Sequence, residues 1–154
     1  SIAFWLEGIL KTTERYYPIK DELRVEREIF TESPFAFVNV KKTAGGATSN
    51  WTVIYDYAEK YSAQIRKQLD LYNPNIIVCC GSSNNPSNPR MLEIAMKYFY
   101  QDYSFEKINN FCYYCRDKHL LLIDSFHPTS RINEIDKFNE MFKSYNAFLK
   151  LQDK

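Results

Sequence analysis

Apolar residues in this chain fall into two kinds of stretch, one repeating at helical spacing and one running continuously over strand length. Residues 2–11 read as an amphipathic helix that ends near Thr12-Thr13 and opens abruptly, as if already in mid-helix. Pro18 interrupts, and Lys20-Asp21-Glu22 leads a second helix to about Phe30, with Leu23 and Ile29 facing inward. Thr31-Glu32-Ser33-Pro34 stops it. Residues 35–40 then form an apolar run of strand length containing Asn39. A basic, glycine-containing loop follows, and Ser49 or Asn50 can cap a helix over residues 51–72. Its positions Ile54, Ala58, Tyr61, Ile65 and Leu69 recur at intervals of three and four.

Asn73-Pro74 ends that helix, and residues 76–80 make a second clear strand closing at Gly81. The polar loop 82–89 feeds a helix over about 90–100. Residues 111–115 and 119–123 flank the turn Arg116-Asp117-Lys118 and predict a hairpin whose second strand runs on to Phe126. A last helix is expected over about 130–151, with Ile132, Ile135, Phe138, Met141, Phe142 and Tyr145 on its buried side.

Strands separated by helices argue for right-handed crossovers and a parallel sheet covered on both faces. The fold class expected is α/β, three-layer α/β/α, with a small, mostly parallel sheet. No linker, repeat or low-complexity tract divides residues 1–154, so one domain is expected. A hydrophobic share of 45% is enough to build a sizeable core. The net charge of +1 gives no global nucleic-acid signature, so any electrostatic footprint must be local. Cys79, Cys80, Cys112 and Cys115 are not spaced as a secreted disulfide framework, and no signal peptide or membrane-length apolar run occurs. A cytoplasmic, intracellular chain with no membrane partner is expected.

Ligands of open parallel sheets bind outside the carboxyl ends of the strands. Three such ends carry polar residues: Asn39 with Lys41 and Lys42, then Gly81 with Ser82, then His127 with Ser130 and Arg131. If the three strands run parallel, these groups share one rim. The amide of Asn39 offers a donor and an acceptor side by side, suited to a nucleobase edge, or it bonds its own strand end. His127, held extended by Pro128, can donate to a developing anion or serve as a general acid, or it is fixed by a turn carbonyl. His119, at the opposite end of its strand, reads as structural. In a strand, Cys112 and Cys115 point to opposite faces, as do Cys79 and Cys80, so no metal and no cofactor is expected.

Phe37-Val38-Asn39-Val40-Lys41, Pro74-Asn75-Ile76-Ile77-Val78-Cys79-Cys80-Gly81 and Phe126-His127-Pro128-Thr129-Ser130 together resemble the uracil-DNA glycosylase superfamily, over roughly residues 35–150. Thr129 stands where that family usually has serine. The resemblance implies a DNA glycosylase-like hydrolase that flips uracil or another modified base from DNA and cleaves its N-glycosidic bond. Asn39 would then read the base edge, and His127 would be the catalytic group stabilising the departing base. Gly81, Ser82 and Ser130 would shape the substrate site, and Lys41, Lys42 and Arg131 would hold the nucleic-acid backbone. Phe37, Trp51 and Tyr55 are candidates to stack on the base. The family's glycine-rich first motif has no match, so an N-terminal strand and loop are expected to be missing from the sequence. The alternatives are a non-catalytic nucleobase or nucleic-acid module of the same fold, and a structural interaction domain.

Overall fold

The computed structural model describes residues 2–11, 30–42, 50–81, 90–128 and 130–152. The sheet has four strands: β1 (Ile76–Cys80), β2 (Glu106–Asn109), β3 (Cys112–Cys115) and β4 (Leu120–Ser125), in the order β1-β4-β3-β2. β4 pairs in parallel with β1 and antiparallel with β3, while β2 pairs antiparallel with β3. The chain is therefore mixed α/β, and the expectation of a mostly parallel sheet is corrected to a mostly antiparallel one. The physical reason is the hairpin, which inserts β3 beside β4, and β2, which extends the sheet by a second antiparallel step.

Alternation along these strands divides the core in two. Cys112 and Tyr114 of β3 and Leu121 and Ile123 of β4 pack with Trp5 and Ile9 of α1 (Ile2–Lys11) and Phe138, Met141, Phe142 and Tyr145 of α5 (Glu134–Gln152). Cys115, Leu120, Leu122 and Cys79 point the other way. They meet Ala58 of α2 (Trp51–Lys60), Ile65 and Leu69 of α3 (Ser62–Tyr72), and Leu92 and Ile94 of α4 (Met91–Ile94). β4 is buried at every position, and each fully buried Leu or Ile contributes about 1.5–3 kcal/mol. As expected from strand geometry, the two thiols of each cysteine pair lie in opposite clusters, Cys112 and Cys80 on the α1–α5 side.

Two helices depart from their predicted form. The segment 51–72 breaks at Tyr61, whose backbone leaves helical geometry (φ −114°, ψ 22°), although Tyr61 still donates to Tyr57 and accepts from Ile65. After α4 the chain widens into a π turn, Ala95–Phe99, closed by Tyr100 N–H to the Ala95 carbonyl at 3.0 Å. Arg66 locks that turn to α3: its guanidinium donates to the Phe99 carbonyl (2.6 Å), Asp102 (2.7 Å) and Asp70 (2.8 Å). The same group lies over the rings of Tyr100 and Tyr103 at 5.0 and 4.7 Å.

The expected strand over residues 35–40 is also corrected. Residues 34–39 are irregular, and none of them pairs with the sheet. Val38 and Val40 pack on the α2–α3 cluster, while the Phe37 ring stays 61% exposed. Apolar residues here cover helices rather than fill a strand. The helix expected from residue 20 falls, except for its end, outside the described residues; residues 30–32 are helical. Among the described residues, no helix is long and apolar enough to cross a membrane.

Candidate functional site

The parallel pairing sets the geometry of one end of the sheet. Cys80 is in register with Ser125, so Gly81 and Phe126 leave the sheet side by side, and Gly81 N–H donates to the Ser125 carbonyl at 2.9 Å. Gly81 is buried, with φ at +153°. A Cβ there would lie 2.8 Å from Cη2 of Trp51 and 3.3 Å from Cβ of Met91. The backbone is therefore approached too closely for any other residue. Trp51 starts α2, whose N-cap is Asn50: its side-chain oxygen accepts from Thr52 N–H at 2.9 Å. The cap thus fixes the indole that closes over Gly81.

His127 follows two residues beyond β4 and is exposed. Its carbonyl accepts from Ser130 N–H at 2.8 Å, closing the turn that contains Pro128. The turn is anchored from below by Lys137 of α5, only 1% exposed, whose ammonium donates to the carbonyls of Pro128 (2.8 Å) and Ser130 (3.4 Å) and to the Glu134 carboxylate. Three acceptors match the three N–H donors of an ammonium, which offsets the cost of burying the charge. Asn133 starts α5, accepting from Ile135 N–H at 2.9 Å. The hydroxyls of Ser125 and Ser130 are buried without a hydrogen-bond partner among the described residues.

A buried carboxylate lies on the other side of the same strand end. Asp124 of β4 has no exposed side-chain surface, and Arg90 approaches it at 3.4 Å while donating to the Asn110 carbonyl at 2.8 Å. Arg90 also bonds Glu93, forming the start of α4. Burial first, and the Asp124 charge second, push the Cys79 thiol well up and the Cys80 thiol to about 12. Neither thiol is a nucleophile near neutral pH.

The remaining predicted residues divide. Gly81 and the His127–Ser130 turn stand together at the ends of β1 and β4. Asn39 is exposed on the irregular segment between Val38 and Val40, so its amide is not delivered by a sheet strand. Lys42 lines a concavity against α2 and α3, next to half-buried Lys41. Arg131 is exposed in the turn before α5, and Ser82 lies outside the described residues. Of the candidate stacking aromatics, Trp51 is packed over Gly81, and Tyr55 is engaged by the Lys97 ammonium beside Tyr98. Lys137 and Asp124 were not singled out from sequence. Each carried a signal: Lys137 shares a helical stripe with Phe138 and Met141, and Asp124 ends the apolar run of β4.

No family model, curated protein or solved structure matches this chain.

Proposed function

We propose that the chain handles a nucleobase at the carboxyl ends of β1 and β4, as a three-layer, uracil-DNA glycosylase-like domain that excises uracil or another modified base from DNA. One observation carries this reading: two parallel, hydrogen-bonded strands end in a side-chain-free backbone at Gly81 and an exposed imidazole at His127. The Trp51 indole already lies over Gly81, so the base is received beside that ring, next to the imidazole carried on the anchored turn. In the proposed reaction water adds its oxygen at the sugar's anomeric carbon and loses a proton to solvent. The N-glycosidic bond pair leaves with the base, which takes up a proton from solvent after release. His127 donates a hydrogen bond to the carbonyl oxygen on which that charge gathers. Asn39, exposed as it is, reads the base edge, and Ser130 borders the site. Lys41, Lys42 and Arg131 meet phosphates, and Ser82 belongs by sequence with Gly81 and Ser130 at the substrate site. No metal or cofactor has a part in this scheme.

The test is turnover of a single-stranded, uracil-containing oligonucleotide, with base release followed chromatographically. His127→Ala is expected to lower the rate by about 10²–10³-fold, as for loss of one oxyanion donor, with melting temperature preserved. Asn39→Ala should act on the same substrate through recognition. Unchanged turnover in both variants refutes the catalytic assignment. Tight binding with no product from the wild-type chain assigns the non-catalytic nucleobase module instead.

A further inference from the structure

We propose that the concavity between α2 and α3 is a stacking site for a second base of the single strand handled at the strand ends, a proposal that rests on the nucleobase reading above. The concavity measures about 130 Å³ and is lined by Lys42, Tyr57, Tyr61, Gln64, Ile65 and Gln68. That is well below the ~300–1,000 Å³ of sites that enclose a whole ligand, so it receives one ring or one edge.

Its chemistry suits a base. Tyr57 and Tyr61, four residues apart, bring their ring centroids to 4.3 Å at a tilt of 39°, and both rings are half-buried. The break at Tyr61 turns α3 against α2 there, and Gln64 and Gln68 follow on successive turns of α3. Two amides beside two tyrosines offer donors and acceptors to a base edge while the rings offer a face.

Charge selects the ligand's sign. Lys42 is in the lining, and Lys60 places its ammonium 5.2 Å from the Tyr61 ring centroid. Among the described residues no carboxylate lines the concavity, and Glu59 of α2 accepts from Tyr98, on the π-turn side. An anionic backbone carrying flat apolar rings matches this surface. Bases in a duplex are already stacked on each other, so the ring that enters must come from a single strand.

Continuity with the first site comes from the chain itself. Lys42 is three residues beyond Asn39, and three residues span at most about 11 Å. A strand whose base is read by Asn39 therefore passes within reach of Lys42 and of the tyrosine pair.

The experiment is fluorescence anisotropy of the full chain with a labelled ten-nucleotide oligothymidine carrying one central uracil, beside calorimetric titration with deoxyuridine alone. Gln64→Glu places a negative charge in the concavity at an exposed position and is expected to weaken the oligonucleotide at least fivefold, leaving deoxyuridine unaffected. Tyr57→Ala is expected to weaken the oligonucleotide about tenfold, and Tyr61→Phe, which keeps the ring, less than twofold. Should Tyr57→Ala fail to fold, Gln64→Glu decides alone. Oligonucleotide affinity unchanged in Gln64→Glu, but reduced in Asn39→Ala, overturns the stacking site and leaves the strand-end site standing. Affinity lost in Gln64→Glu but untouched in both Asn39→Ala and His127→Ala supports the stacking site and refutes the strand-end reading. No binding of either probe overturns both.

Discussion

Replacing Gly81 with alanine tests the packing that shapes the strand-end site. The added Cβ would stand 2.8 Å from Cη2 of Trp51, where carbon atoms prefer roughly 3.5–4.0 Å, so the ring must retreat by about 0.7 Å or more. It cannot do so freely, because the indole is half-buried and its helix is fixed by the Asn50 cap. Overpacking of this kind costs about 1–3 kcal/mol. The backbone adds its own term: φ of +153° is a conformation that alanine resists, at about 1–3 kcal/mol. Together Gly81→Ala should lose about 2–6 kcal/mol, read as a lower urea midpoint at constant slope. Trp51→Phe removes the clashing atom and leaves the dihedral strain. The double variant should therefore be more stable than the sum of the two singles predicts, by about 1–2 kcal/mol. A Gly81→Ala midpoint within about 0.5 kcal/mol of wild type refutes the whole account. Strict additivity refutes its steric half.

Other consequences can be checked on the same protein. Lys137→Met strands the carbonyls of Pro128 and Ser130, so it should cost about 2–4 kcal/mol and speed hydrogen exchange at the Ser130 amide; unchanged protection there contradicts the anchoring role. Arg66→Lys keeps the charge but loses the fork and the ring stacking, and should destabilise by about 1–2 kcal/mol by urea titration; a neutral result removes the clamp. Burial pushes the Cys112 thiol up to about 12. The unfolded thiol ionises first, near ~8.5, so the folded state holds the extra proton above that pH and its stability falls as pH rises towards 12. Cys112→Ala should flatten that decline by up to about 1.4 kcal/mol per pH unit, and an unchanged slope between pH 9 and 11 counts against a buried thiol.

Legibility in the sequence followed the strength of local patterns. The hairpin was readable because Arg116-Asp117-Lys118 separates two apolar runs, and the structure pairs them as β3 and β4, with His119 turning the corner at φ 51°. The cap was readable as one of two neighbours, Ser49 or Asn50, because both stand directly before the helix, and the structure uses Asn50. β2 was not, since Glu106-Lys107-Ile108-Asn109 is polar and half-exposed, bulged between Lys107 and Asn109, and stands at the sheet edge where nothing enforces alternation. Residues 35–40 failed for the opposite reason: a continuous apolar run has no period, so a strand buried on two faces looks like an extended segment laid across helices.

The same distinction explains which part of the candidate site could be foreseen. Gly81 and His127 come together through strand direction, and β1 and β4 share a direction because α4, the π turn, β2 and β3 intervene and return the chain to the same end. Element order carries that information. Lys137 and Asp124 act through side chains that reach across elements, one from α5 to the turn at Pro128, the other from β4 to Arg90. Nothing local distinguishes such a lysine from one whose stem lies along the core with its head in water. What separates the two is the presence of three oxygen acceptors at the buried end, two of them carbonyls of the backbone that precedes the helix and the third the Glu134 carboxylate in its first turn. A polar residue on an otherwise apolar stripe is therefore best read together with the loop leading into its element: here the turn that carries the imidazole is the turn that the buried ammonium holds.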